Sequence, residues 1–221
     1  MLGWATVHHY RAGDNPARWQ GHLEHALPAI SQVAKIEHHA ALPYLEAPAF
    51  MAKLREDSSI PARCLELIAL TATRSNEGTD ALWSEIDFEN KLWTIPAARM
   101  KAHRDHRVPL SEAAVAVLTA MKEIRCSDYV FPALRGEGKA ISAQTIWRLA
   151  KTAAGRDITV HGLRSTFRDW AAERTAFPRD VAEMALAHAI PSAVEAAYRR
   201  GDLFEKRRKL MEAWAEFCGK L

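Results

Sequence analysis

Strand-like alternation appears in one short stretch of this chain, and the sequence on either side of it has helical spacing. Residues 83–88 alternate apolar and polar side chains, Glu89-Asn90 follows as a turn, and residues 92–95 alternate again. Residues 107–110 complete a third strand, and Pro109 places it at a sheet edge because proline cannot donate to the ladder. The pattern predicts an α+β fold that is mainly helical and carries a small three-stranded sheet.

Helix-start signals frame this sheet. Pro61 suits a first helical turn, while Ser111 and Ser142 begin runs that extend through Met121 and Ala154. Further helices are predicted to open at residues 177–180 and end near residues 186–188, to open at Pro191-Ser192, and to open at a capping box of Asp202 and Glu205.

The last helix has a stripe of apolar residues at helical spacing, made of Leu203, Leu210, Met211, Trp214 and Phe217. Amphipathic helices usually face the core of their own domain, so the stripe predicts core packing. Docking on a partner is the alternative.

Length and composition bound the class of protein. The 221 residues, 48% of them hydrophobic, suffice for one ample core, so we expect one main domain. No apolar run approaches the length of a membrane span and no signal-peptide pattern begins the chain, which favours a cytoplasmic protein. The three cysteines are far apart and lack a C-x-x-C spacing, so we expect neither a disulfide framework nor a zinc ribbon.

Phosphate-binding and proton-handling side chains accumulate in the second half of the chain. On a helix, His161 and Arg164 stand three residues apart and share a face, so one phosphate could meet both. Arginine offers a planar fork of donors, and histidine exchanges a proton near neutral pH. Together with His188 and Tyr198 they suit phosphoryl transfer without metal. Taken alone, H-x-x-R also fits a surface helix whose arginine meets a carboxylate.

A second arginine and a lysine extend this set. The apolar run at residues 65–73 delivers Arg74 at its end, and Glu77 lies three residues on, where it could orient the guanidinium. Lys101 lies at the tip of the hairpin between the last two strands. The alternative for Lys101 is an ordinary solvated surface lysine.

Taken in order, these segments resemble the catalytic domain of the tyrosine recombinases, specifically the phage and genomic-island integrases. The resemblance rests on residues 70–77, 83–87, 93–96, 100–101, 160–168, 186–188 and 197–200. It implies a mainly helical catalytic domain with a small three-stranded antiparallel sheet. It also implies six catalytic residues, Arg74, Lys101, His161, Arg164, His188 and Tyr198.

The resemblance implies a role for each of these residues. Tyr198 would attack the scissile phosphodiester, forming a 3′-phosphotyrosyl link and releasing a 5′-hydroxyl, while Arg74 and Arg164 clamp the non-bridging oxygens. His188 would add a third hydrogen bond, His161 would act as the base, and Lys101 as the acid. The bond energy is stored in the link, so we expect no cofactor and no metal. The implied function is site-specific recombination, the integration or excision of mobile DNA.

The resemblance also implies domains and partners. Residues 1–20 resemble the end of the core DNA-binding domain plus a linker, and residues 21–221 the catalytic domain, as in an excised fragment or a shortened gene. The expected partners are double-stranded DNA attachment sites, further copies forming a tetramer on DNA, and accessory DNA-bending proteins, with no membrane. We expect a cytoplasmic protein that joins the nucleoid when bound to DNA.

Basic residues form two clusters within a net charge of +3. Arg99, Lys101, Arg104 and Arg107 crowd the hairpin, where we favour DNA contact. For the basic run that follows Tyr198, at residues 199–209, DNA contact and an ordinary solvated helix face are equally supported.

Alternatives and departures remain open at this point. Asp80 and Leu82 are atypical of the family, and Asp80 could either compete with DNA for Arg74 or cap a short helix. A catalytically weak DNA-binding remnant is a second hypothesis. A two-metal nuclease is a third, and it would use Glu77, Asp80, Glu85 and Asp87. The paired histidines, His8-His9, His22 with His25 and His38-His39, lack the neighbours of a metal site.

Overall fold

The computed structural model describes residues 2–28, 40–133, 138–188 and 201–220. The chain divides into two compact units, residues 1–38 and 39–221. In the first unit, helix α1 spans Leu2–Val7, an irregular helical turn spans Trp19–Leu23, and the single turn α2 spans Glu24–Ala26. The assignment of residues 1–20 to the end of a DNA-binding domain stays a prediction.

The second unit contains the remaining described helices and the sheet. Its helices are α3 Ala47–Glu56, α4 Ile60–Thr71, α5 Ser75–Thr79, α6 Glu112–Glu123, α7 Ala143–Ala154, α8 Gly162–Arg174, α9 Arg179–Ala185 and α10 Phe204–Cys218. Its strands are β1 Ile86–Asp87, β2 Leu92–Ile95 and β3 His106–Pro109. The predicted starts of α6 and α7 are confirmed, because Ser111 and Ser142 each accept a hydrogen bond from the first turn of the helix. The helix predicted from Pro191-Ser192 lies outside the described residues.

The described strands form one antiparallel sheet in the order β1-β2-β3, with Trp93 opposite both Ile86 and Val108. The edge position predicted from Pro109 is confirmed. The strand predicted at residues 83–88 is wrong for its first half, where Trp83–Glu85 forms a 3-10 turn. Glu85 causes this turn, since its carboxylate accepts hydrogen bonds from the Leu82 backbone at 3.4 Å and the Trp93 indole at 2.9 Å.

Helix α4 is the centre of the core and is buried on nearly every side, as expected for a helix that is apolar all round. It packs against α3, α6, α7 and α10. The predicted helical run through residue 73 is too long, because α4 ends at Thr71 and Ala72 adopts a left-handed conformation with φ of 51°. Arg74 is therefore the residue that precedes α5, not the end of the apolar helix.

The stripe on α10 is core packing, as predicted. Leu210, Met211 and Trp214 are buried, and the Trp214 indole donates to the Ala69 carbonyl of α4 at 2.9 Å. The start of the helix differs from the predicted capping box. Leu203 lies at the N-cap in a left-handed conformation, and the Asp202 carboxylate accepts from the backbone N–H of Phe204 at 3.2 Å.

Gly162 fixes the position of α8 against the chain that enters the second unit. A Cβ atom there would lie 2.2 Å from the Ala40 carbonyl oxygen, which only glycine avoids. Thr166, one turn further, donates to the Leu42 carbonyl at 2.6 Å. The start of the helix that carries Arg164 is thus held by backbone contacts with residues 40–42.

The cysteines Cys64, Cys126 and Cys218 are all free thiols, as expected from their spacing. Among the helices of the described residues, none is both long enough and apolar enough to cross a bilayer.

Candidate active site

Arg164 is the most deeply buried cation of the predicted site, with 4% of its surface exposed. Its Nη1 donates to the Ala72 carbonyl beyond α4 at 2.5 Å, and its Nη2 donates to the Leu186 carbonyl beyond α9 at 2.6 Å. Nη2 also lies 3.3 Å from Nε2 of His188. The buried Nε has no hydrogen-bond partner among the described residues. The guanidinium is therefore held in place by backbone carbonyls from two separate segments.

Arg74 lies beside it at the start of α5. Its backbone N–H donates to one oxygen of Glu77 at 2.8 Å, and its Nη1 donates to the other at 2.6 Å. The orienting role predicted for Glu77 is therefore confirmed by contact. Nη2 of Arg74 reaches the Ala187 carbonyl at 3.5 Å, next to the carbonyl that Arg164 binds. The two arginines thus converge on consecutive peptide groups.

His188 follows α9 in a Schellman motif. Its backbone N–H donates to the Glu183 carbonyl at 3.0 Å, and the N–H of Ala187 donates to the Met184 carbonyl at 3.1 Å. Ala187 has φ of 49°, the left-handed conformation that this motif requires. The turn brings the His188 ring to Arg164, so the structure unites three of the six predicted residues.

Electrostatics distinguish this cluster from an ordinary ion pair. Burial, with the nearby charge of Arg74, lowers the pKa of Arg164 to about 10, so the Arg164 guanidinium stays protonated at neutral pH. In the described part of the chain no carboxylate forms an ion pair with Arg164, in contrast to the surface-helix alternative. Two like charges side by side at low dielectric attract an anion with two free oxygens.

His106 also belongs to this site, and the sequence analysis did not identify it. It lies on β3, it is buried, and it is hydrogen-bonded to the backbone of Ala185 near Arg164, Arg207 and Glu77. Burial is the main reason that its pKa falls to about 4, followed by the charge of Arg207. The two-residue period of a strand could have identified His106 as an inward-facing residue, because residues 106, 108 and 110 are all buried.

His106 is expected to make the protein sensitive to mild acid. Below pH 6.5, roughly the ordinary pKa of histidine, the unfolded chain takes up a proton that the folded chain refuses until pH 4, so stability falls as the pH falls through that window. The free energy of unfolding should drop by roughly 2 kcal/mol between neutral pH and about pH 5. Urea unfolding at both pH values measures this loss, and His106→Gln should remove this contribution. An equal loss in His106→Gln would contradict the assignment.

The other predicted residues lie in different settings. Lys101 is exposed in the hairpin between β2 and β3. His161 is exposed at the N-cap position of α8, whereas Arg164 is buried inside the helix. Tyr198 lies outside the described residues, as do Arg199, Arg200 and His38-His39.

The basic cluster on the hairpin divides into two kinds of residue. Lys101 and Arg104 are exposed, in keeping with the predicted DNA contact. Arg99 is not part of that surface, because it binds Glu85 at 2.5 Å and donates to the Glu77 carbonyl at 2.7 Å. It ties the base of the hairpin to α5. Arg107 lies over the ring of Phe204.

The carboxylates that a two-metal nuclease would use each have a partner of their own in the structure. Glu77 binds Arg74, Glu85 binds Arg99, and Asp87 accepts from Asn90 at 2.7 Å. Asp80 is exposed at the C-terminal end of α5 and accepts from the Thr79 hydroxyl at 3.3 Å. It does not cap the next helical turn, whose N-cap residue is Leu82. Across residues 2–28, 40–133, 138–188 and 201–220, no three His, Cys, Asp or Glu side chains gather at metal-binding distance.

Comparison with known proteins gives consistent matches. The model of the phage integrase family matches residues 42–203. The prophage integrase IntA of Escherichia coli K12 is 41% identical over 175 residues, covering 77% of this chain and 42% of that protein. The prophage integrase IntS of the same strain is 31% identical over 198 residues, covering 86% of this chain and 51% of IntS. The chain spans about half the length of these relatives.

Solved structures agree on the fold. The integrase from mycobacterium phage Brujita superposes with a TM-score of 0.60 at 17% identity, covering 95% of this chain and 66% of that one. A lambda integrase dimer bound to a core site gives a TM-score of 0.59 at 18% identity, covering 86% and 68%. With the family match over residues 42–203, the arginine pair and the small antiparallel sheet, this chain belongs to the phage integrase family of tyrosine recombinases.

Proposed function

We propose that this chain cleaves and rejoins DNA strands in site-specific recombination, the integration or excision of mobile DNA. The observation that carries the proposal is the pairing of Arg74 with the buried Arg164 beside His188. A phosphodiester has two non-bridging oxygens and one negative charge, which suits two guanidinium forks and an imidazole. The relatives named above are integrases, which supports the same activity.

The proposed reaction is a reversible transfer of the phosphoryl group. The phenolic oxygen of Tyr198 attacks the phosphorus in line, the bond to the 5′ oxygen breaks, and a 3′-phosphotyrosyl link forms. His161 accepts the phenolic proton, and Lys101 gives a proton to the leaving 5′ oxygen. A 5′-hydroxyl of another strand reverses these steps and restores the phosphodiester. No nucleotide, cofactor or metal enters this balance.

The proposed partner is the duplex of an attachment site. Lys101 and Arg104 stand exposed on the hairpin, where cations contact phosphates. Assembly as a tetramer, help from accessory DNA-bending proteins, and a cytoplasmic location at the nucleoid belong to the same proposal. A lambda integrase of similar fold has been solved as a tetramer bound to a Holliday junction.

A suicide duplex tests the chemistry. A nick placed beside the scissile phosphate lets the short 5′-hydroxyl fragment diffuse away, so that the covalent intermediate accumulates. We expect a protein–DNA adduct that survives denaturation, forms in the presence of a chelator, and maps to Tyr198 by mass spectrometry of its peptides. Tyr198→Phe should form no adduct because it lacks the nucleophile, whereas Tyr129→Phe serves as the matched control and should react normally.

Each other outcome identifies a different function. A gel shift without adduct would indicate a DNA-binding remnant. Cleavage that stops in the chelator would indicate a metal-dependent nuclease.

A further inference from the structure

The carboxylate of Glu183 contacts the ring of His188 on the side opposite Arg164. Its Oε2 lies 2.6 Å from Nδ1 of His188, and the backbone of the same two residues is joined by the Schellman hydrogen bond. The opposite ring nitrogen, Nε2, lies 3.3 Å from Nη2 of Arg164. Both ring nitrogens are therefore in contact with a neighbour, Nδ1 with Glu183 and Nε2 with Arg164.

We propose that Glu183 is a positioning residue that fixes the tautomer and orientation of His188, so that Nε2 faces the phosphate held by Arg164 and Arg74. This inference rests on the proposed function for its effect on rate, but the hold on the ring can be measured without DNA.

The two carboxylate oxygens of Glu183 have different hydrogen-bond partners. Oε1 accepts from Nε of Arg168 on α8 at 2.8 Å and lies 3.7 Å from Arg179, one turn earlier on α9. Oε2 is left for His188. A surface ion pair with Arg168 would explain only the first oxygen, so the second contact needs its own account.

The carboxylate stays ionised at neutral pH. Burial alone would raise the pKa of Glu183, but the hydrogen bond from His188 and the charge of Arg168 outweigh it, and the net shift is downward. Among the described residues, the other charged groups near the pair are Arg179, Arg164 and, through the Ala187 carbonyl, Arg74. Arg207 on α10 forms an ion pair with Asp202 and donates to the Arg107 carbonyl of β3.

The ionised carboxylate of Glu183 next to Nδ1 determines which ring nitrogen of His188 carries a proton. A carboxylate can only accept, so Nδ1 carries the donated proton, and the lone pair of Nε2 faces the donor Nη2 of Arg164. To donate to a phosphate oxygen that replaces this contact, Nε2 must first take up a proton from the surrounding water. Glu183 faces the resulting imidazolium as its counter-charge, as carboxylates do behind metal-binding histidines.

The ring can be observed directly by ¹⁵N NMR of the histidine side chains in the full chain at about pH 8.5, where histidine is neutral. Wild type should show the His188 proton on Nδ1. Glu183→Ala should remove the acceptor that holds this proton on Nδ1 and average the signals of the two nitrogens. Glu173→Ala, an exposed glutamate on α8, is the matched control and should leave the His188 signals unchanged. The same signals in Glu183→Ala and wild type would overturn the proposal.

Kinetics on the suicide duplex test the consequence. Glu183→Ala should form the adduct about 10- to 100-fold more slowly, while its affinity for the uncut duplex stays the same. The double variant Glu183→Ala/His188→Gln should be no slower than His188→Gln alone, because Glu183 acts through that ring. An additive double variant would overturn the positioning role. If wild type forms no adduct through Tyr198, the proposed function fails, and the NMR result still decides the hold of Glu183 on His188.

Discussion

Replacing Arg164 by alanine is expected to slow formation of the Tyr198 adduct by about 100- to 1000-fold, the usual effect of removing one donor to a developing oxyanion. The guanidinium is the buried member of the pair, and backbone carbonyls hold it in place beside His188. The initial rate of covalent trapping on the suicide duplex, at saturating protein, measures the effect.

The same substitution also affects the fold, so rate and stability must be separated. Without Arg164 the carbonyls of Ala72 and Leu186 lose a buried donor, at about 1–3 kcal/mol each, and the relief of repulsion from Arg74 offsets part of this. Arg164→Lys keeps the charge but not the fork, and we expect it to remain slow although folded. Arg148→Ala, an exposed arginine on α7, is the control. A folded Arg164→Lys variant with wild-type rate would contradict the assigned role.

Arg207→Met is expected to lower the free energy of unfolding by about 3 kcal/mol, because two carbonyls lose a charged donor. Only 2% of the Arg207 side chain is exposed. Its Nε donates to the Asp202 carbonyl at 2.7 Å, and its Nη1 donates to the Arg107 carbonyl of β3 at 2.5 Å. Its Nη2 binds the Asp202 carboxylate at 2.7 Å. Chemical denaturation at neutral pH measures the loss.

Two comparisons isolate the buried contacts. Lys209→Met makes the same change of charge at an exposed position of α10 and should alter stability little. Asp202→Asn removes only the half-exposed carboxylate partner and should cost less than Arg207→Met. Equal stabilities of Arg207→Met and Lys209→Met would show that the buried arginine is not an anchor.

The fold was predictable where local chemistry decides it. Serine caps, Pro61 and the two-residue period at residues 92–95 lead to elements that the structure contains. The errors occur where a side chain overrides the period. Glu85 bends the predicted first strand into a turn, and Ala72 ends α4 early by turning left-handed. Neither effect is visible from residue spacing.

The site was predictable as a set of residue types but not as an arrangement. Resemblance supplied Arg74, Arg164 and His188, and the structure unites them. The contacts that hold them are between distant segments, such as Arg164 with the Ala72 carbonyl, and involve backbone atoms that every residue has. His106 resembled an ordinary strand residue, and Glu183 an ordinary helix glutamate, until the fold placed them beside the cluster.

The left-handed alanines that end α4 and precede His188 make the arrangement of the arginine pair depend on complete folding. Ala72 and Ala187 have φ of 51° and 49°, and their carbonyls accept from Arg164 and Arg74. Such a backbone is unfavourable for alanine unless its surroundings enforce it, so each oxygen is presented only while its helix end is intact. A frayed or half-made chain would leave its cations without their acceptors. We therefore expect a partly unfolded copy to lose the proposed strand cleavage.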